Sequence, residues 1–212
     1  MLHVQVFTFN PFSENTYILY NDSGEAALFD PGCFNAHEQA MVKSFLEDKN
    51  LKLQSLFLTH AHIDHILGYH WVNSTYNLVA HANEKEEPIF KRGLESSLLF
   101  GIPYTEGPAL IGDLQHKDEI IICGEKVELR EAPGHSPGSL LFVLHNQKEV
   151  LVGDVIFEES IGRTDLPGGN HETLLASISK EVYSLPDDYV LHPGHGRATT
   201  VGHEKRFNPF VR

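Results

Sequence analysis

The sequence predicts an α/β fold in which two β-sheets pack together and carry helices on their outer faces. Three observations predict it. The apolar pattern runs strand-strand-strand-helix-strand-helix-strand, and loosely does so twice. No low-complexity or linker-like stretch interrupts that order, so residues 1–212 read as one domain. At 212 residues and 41% hydrophobic content, the chain can build a full core without disulfides.

The elements follow in order. His3 to Phe9 alternates around Val4 and Val6, Asn15 to Tyr20 is rich in β-formers, and Glu25 to Phe29 is a short apolar run. Asp30-Pro31-Gly32 breaks the chain. Asp30 either orients a neighbouring loop or only forms the turn. Asn35 with Glu38 reads as a capping box, and Met41, Val42, Phe45 and Leu46 continue at helical spacing to about Asn50. Leu53 to Leu58 is a buried strand. A second helix starts near His65, and Asn77 to Ala80 is a short strand.

Glu84 to Gly112 holds charges, prolines and glycines, and reads as irregular: a solvated connector, or a mobile lid. Strands return at Glu119–Ile122, Lys126–Leu129, Leu140–Leu144 and Val150–Gly153. A helix fits His171 to Tyr183, capped by Asn170, and the last strand is Tyr189 to Leu191.

Composition narrows the function. Lys plus Arg is 16 and Asp plus Glu is 29, a net charge of −13, which argues against a nucleic-acid surface. No long apolar run spans a membrane, and the opening MLHVQVFTFNPF lacks the basic start of a secretory leader. Cys33 and Cys123 are isolated, as in a reducing compartment, so the cytoplasm is the expected location. The expected partner is a small-molecule substrate, with neither nucleic acid nor membrane; oligomeric state is left open.

The strongest local signal is Thr59-His60-Ala61-His62-Ile63-Asp64-His65, just after a buried strand. His60 and His62 share a face of an extended segment, so two imidazoles can converge on one ion. Asp64 and His65 follow where the chain curls into a helix and can turn to a second ion. Packed together without a metal, these groups would bury polar atoms with no evident partners. Three further ligand types sit at other strand ends: His135 in Ala132-Pro133-Gly134-His135, Asp154 in Val152-Gly153-Asp154, and His195 in His192-Pro193-Gly194-His195. Together they make seven candidate ligands, enough for two ions sharing a carboxylate. Imidazole and carboxylate suit zinc first, with iron or manganese as alternatives.

In this order and spacing, His60-Ala61-His62-Ile63-Asp64-His65, His135, Asp154 and His195 resemble the metallo-β-lactamase superfamily over nearly the whole chain. The resemblance implies a four-layer αβ/βα sandwich with metals at one edge. It assigns His60, His62 and His135 to one ion and Asp64, His65 and His195 to the other, with Asp154 bridging. Gly153-Asp154-Val155-Ile156-Phe157, Ile161-Gly162-Arg163-Thr164-Asp165 and the tail Phe207-Asn208-Pro209-Phe210 are similar to the short bacterial glyoxalase-II-like hydrolases. Two departures stand out. Leu67 precedes a single Gly68 where the superfamily usually has two glycines, and the chain ends soon after His195, without the helical domain that helps hold glutathione.

The chemistry expected is hydrolysis of a thioester, such as S-lactoylglutathione, by a hydroxide held between two divalent ions, with Asp64 and Asp154 as the catalytic carboxylates. A thiolate leaves with little protonation, which fits the lack of a separate acid motif. Arg163, Lys205 and Arg206 are the candidate substrate-binding residues; for Arg163 a structural ion pair is the competing role. Two alternatives remain: a mononuclear iron dioxygenase, because Gly162-Arg163-Thr164-Asp165 also resembles the persulfide dioxygenases, and a non-catalytic metal-binding module.

Overall fold

The computed structural model describes residues 2–211. The first sheet has the order β1 (Leu2–Phe9), β2 (Glu14–Asn21), β3 (Glu25–Phe29), β4 (Lys52–Phe57) and β5 (Ala80–His81). β1 to β3 are antiparallel neighbours; β4 and β5 add in parallel. The parallel step needs a crossover, and α1 (Ala36–Asp48) supplies it. The Asn35 side chain accepts from the His37 and Glu38 N–H groups at 3.0 and 3.1 Å. Glu38 does not close back on Asn35. Its carboxylate accepts from Phe34 N at 2.6 Å and from Asn10 N at 3.1 Å, tying the helix start to the β1–β2 turn.

The second sheet is built from β6 (Glu119–Ile122), β7 (Glu125–Glu131), β8 (Leu140–Leu144) and β9 (Glu149–Gly153). A small hairpin of β10 (Ile156–Phe157) and β11 (Ser160–Ile161) follows, and β12 (Val190–Pro193) and β13 (Thr199–Thr200) complete the sheet. β12 lies parallel to β9, and the spatial order is β13-β12-β9-β8-β7-β6.

Alternation along the strands gives each sheet two apolar faces. The inner faces meet: Tyr17, Leu19, Ala27, Phe29 and Phe57 pack with Val127, Leu129, Leu140, Phe142 and Leu151. Outside the first sheet, Ile18, Leu28, Leu56 and Leu58 pack under Val42 and Leu46 of α1, and under Tyr69 and Val72 of α3 (Tyr69–Tyr76). Outside the second, Leu141, Val143, Val150 and Val152 pack under Leu174 of α6 (His171–Ser177) and the π-helical turn Ile178–Val182 that continues it. The layers are helix, sheet, sheet, helix, the αβ/βα sandwich expected. Among the described residues no helix is long and apolar enough to cross a membrane.

Several elements depart from the sequence reading. The helix expected from His65 is two pieces, α2 (Ile63–Ile66) and α3, separated at Leu67-Gly68. Gly68 donates to Pro31 O at 2.7 Å, and a Cβ there would come within 2.9 Å of that same oxygen. The strand expected at Asn77–Ala80 is only β5. Residues 84–112 are helical over half their length: a 3₁₀ turn Glu84–Glu86, α4 (Glu87–Phe90) and α5 (Gly93–Phe100). Pro88 sits in the first turn of α4, where its missing N–H costs nothing. The apolar stripe of α6 continues to Val182, but hydrogen bonding there relaxes to π geometry. α7 (Val201–Phe207), capped by Thr200, had no counterpart in the sequence pattern.

Candidate metal centre

Every candidate ligand lies at the carboxyl end of a strand. β4 leads into His60 and His62, and α2 carries Asp64 and His65. His135 lies in the turn after β7, Asp154 directly follows β9, and His195 follows β12. The ligand atoms of His60, His62 and His135 lie within 4.8 Å of one another, as do those of Asp64, His65 and His195. His135 Nε2 is 2.8 Å from His62 Nδ1 and 3.2 Å from His60 Nε2. His195 Nε2 is 3.0 Å from Asp64 Oδ2.

Asp154 faces both sets. Its Oδ1 is 3.4 Å from His65 Nε2, and its Oδ2 is 3.4 Å from His195 Nε2 and 3.6 Å from His135 Nε2. All seven residues expected from the sequence therefore converge.

The outer ring nitrogens are tied down, which assigns the tautomers. His135 Nδ1 donates to Arg163 O at 2.8 Å. His60 Nδ1 donates to Thr59 Oγ1 at 3.1 Å, and that hydroxyl donates to Asp30 Oδ2 at 2.6 Å. His195 Nδ1 faces the carbonyls of Phe12 and Ser13 at 3.1 and 3.2 Å. The Nε2 atoms of His60 and His135 are left as two bare lone pairs pointing at each other. His65 Nε2 and Asp154 Oδ1 are buried without a hydrogen-bond partner. Such an arrangement is repulsive on its own and is satisfied by a cation at its centre, so the residues fit a metal.

Charge agrees. Burial, reinforced by neighbouring imidazoles, holds His60 well below the ordinary imidazole range and His62 at about 3. Burial also lowers His135. These rings are neutral, each with a lone pair that a cation could take. Burial opposes the charge on Asp154, but His65 and His195 outweigh it and keep the carboxylate ionised.

Three positioning groups come from distant parts of the chain. Asp30, held at φ +48°, accepts from Thr59 N at 2.7 Å and lies 3.0 Å from His65 Nδ1, so the turn residue does orient the metal-site loop. Asn15 Nδ2 donates to Pro193 O and Gly196 O at 3.0 and 2.8 Å, bracketing His195. Glu86 is fully buried: its carboxylate accepts from Ala61 N at 2.8 Å, Ser136 Oγ at 2.5 Å and Gly138 N at 2.6 Å, bridging the His60–His62 and His135 loops. Sequence reasoning missed Asn15 and Glu86, because nothing local marks partners 25 or more residues away along the chain.

His62, Asp64, His135, Asp154 and His195 line one side of a cavity of about 840 Å³. Arg163 lines it too, but its guanidinium is held by Asp165 at 2.7 and 2.8 Å, the structural ion pair. Lys205 and Arg206 do not line it. They lie on α7, where Lys205 donates to Asp187 at 2.7 Å and to Leu185 O at 3.2 Å. His192 points elsewhere, 3.5 Å from Glu149 and edge-on to Tyr17. Neither Cys33 nor Cys123 joins the cluster.

Comparison with known proteins agrees with this geometry. A protein from Haemophilus influenzae named hydroxyacylglutathione hydrolase GloC is 34% identical, over 99% of this chain and 98% of its own. The crystal structure of the B3 metallo-beta-lactamase BLEG-1 superposes with a TM-score of 0.90 at 34% identity, covering 99% of each chain. That of TTHA1623 in a di-iron-bound form gives 0.87 at 30% identity, covering 98% of this chain and 100% of the other. The model of the metallo-beta-lactamase superfamily matches residues 9–195. With its layers, its strand-end ligands and this match in agreement, the chain belongs to the metallo-beta-lactamase superfamily.

Proposed function

We propose that this metal-dependent hydrolase is binuclear and cleaves a thioester, with S-acylglutathiones such as S-lactoylglutathione as substrates. The observation that carries the proposal is the position of Asp154, whose Oδ2 lies 3.6 Å from His135 of one donor set and 3.4 Å from His195 of the other, beside an open cavity. His60, His62 and His135 would hold one ion, and Asp64, His65 and His195 the other. The donors are nitrogen and oxygen without thiolate, a set that zinc accepts and iron or manganese also fit. Such ions supply a Lewis acid and bring the pKa of a bound water to about 7.

The chain's own residues do the rest. The anchored outer nitrogens of His60, His135 and His195 fix which lone pair each ring presents. Asp64 and Asp154, ionised and facing the cavity, supply the negative charge that would hold the ions and acceptor oxygens that can orient an attacking water by hydrogen bonding. The thiolate leaves without a dedicated acid. The likeness to the Haemophilus hydroxyacylglutathione hydrolase supports the thioester reading. The likeness to BLEG-1 makes β-lactam hydrolysis the specific rival.

The test is turnover by fully metal-loaded protein of S-lactoylglutathione, of a chromogenic β-lactam, and of a persulfide with oxygen uptake recorded. Thioester hydrolysis without oxygen uptake, exceeding β-lactam turnover, is the expected result. Absence of thioester hydrolysis overturns the proposal.

A further inference from the structure

α5 is built inside out. Its buried residues are the small ones, Gly93 and Ser97, while Leu94, Leu98, Leu99 and Phe100 are exposed, Leu98 and Leu99 in the last turn at 77% and 78%. Gly93 lies against Tyr104, where a Cβ would come within 2.9 Å of the ring. Ser97 Oγ donates to Leu94 O at 2.8 Å, so its hydroxyl needs no solvent. The small face lets the helix sit close to the body and turns its large apolar residues away from the core. Isolated exposed leucines are ordinary, but a cluster on one short helix is not.

The cluster is continuous with the metal centre. Leu98, Leu99 and Phe100 line the same 840 Å³ cavity as His62, Asp64 and Asp154, and Phe157, Ile161 and Leu166 also line it. Phe100 is braced edge-on against Phe12, their centroids 5.3 Å apart. The lining cations are Arg92 and Arg163, and each is already engaged: Arg92 by Glu95 at 2.9 and 3.0 Å, Arg163 by Asp165. A charged tripeptide therefore finds few free partners in the cavity, whereas a hydrocarbon finds a ready surface. A lactoyl group is too small and too polar to use it.

We infer that the α5 side of the cavity is an acyl-chain subsite, and that the preferred thioesters carry an extended apolar acyl group. The inference rests on the thioester reading. The scissile carbonyl would lie beside Asp64 and Asp154, the chain along Leu98, Leu99 and Phe100, and the thiol half at the mouth. Burying each methylene contributes about 0.8 kcal/mol, roughly fourfold in affinity, until the wall ends.

S-alkylglutathione thioethers cannot be hydrolysed, so their binding reports the subsite independently of turnover. Calorimetric titration of metal-loaded protein with S-methyl-, S-butyl- and S-octylglutathione is expected to show affinity rising with length, the octyl compound binding at least tenfold tighter than the methyl. The double variant Leu98→Ser/Leu99→Ser should lose most of that gain while keeping the wild-type circular dichroism and monomer–dimer distribution. Equal affinity along the series overturns the subsite. So does a wild-type dimer that the double variant disrupts with no change in the length dependence, because the leucines would then cover a second copy of the chain. A steep series without hydrolysis of any thioester keeps the subsite and overturns the thioester reading instead.

Discussion

At the scale of single residues, the centre is an arrangement of lone pairs. His60, His135 and His195 are each committed at Nδ1 to an oxygen, which leaves Nε2 for a ligand role. His62 presents Nδ1 instead, 2.8 Å from His135. His192 is close in sequence to His195 but faces Glu149. His62→Ala should therefore lower hydrolysis by at least an order of magnitude more than His192→Ala in steady-state kinetics, since even residues that only support a ligand typically cost 10–100-fold. Equal, mild losses would contradict the assignment of His62. The candidate ligands were legible because three histidines and an aspartate fall within six positions and the others follow glycine-rich strand ends. The groups that hold them were not. Glu86 looks in sequence like one acid in a charged run, and only the fold shows it buried between two loops.

Among the elements, strands were legible from alternation and apolar runs, and the caps Asn35 and Asn170 work as their side chains suggest. The helices between residues 84 and 112 were not, because their segments are short and α5 reverses the usual pattern of apolar residues facing inward. α7 was missed because its stripe is broken by charges. Lys205 read as a substrate anchor from its nearness to His195 along the chain, but the helix turns it toward Asp187. The end of β12 carries a tight packing constraint at the site itself. A Cβ on Gly194 would collide with the Asp154 carboxylate and come within 2.7 Å of His65 Cε1. Gly194→Ala should displace Asp154, costing at least about tenfold in activity and lowering the metal content read by elemental analysis. Wild-type metal content and activity in that variant would show that the loop yields freely.

For the whole molecule, the sandwich brings carboxyl ends of strands from both sheets to one edge, where neither sheet alone could complete a binding shell. β4 supplies one pair of imidazoles; β7, β9 and β12 deliver His135, Asp154 and His195 from the other sheet. Asn15, at the start of β2, reaches across to Pro193 and Gly196 and joins the two halves at the site. The net charge of −13 gives no general attraction for an anionic thioester, so recognition falls to the cavity itself. The central claim is that two ions occupy this edge and share Asp154. Elemental analysis of protein reconstituted in excess metal and then desalted tests it most directly, with Asp64→Ala and Asp154→Ala measured alongside. The account predicts close to two ions per wild-type chain, with both variants binding less and neither hydrolysing thioesters. One ion per wild-type chain, with Asp64→Ala unchanged in both metal content and activity, would contradict it.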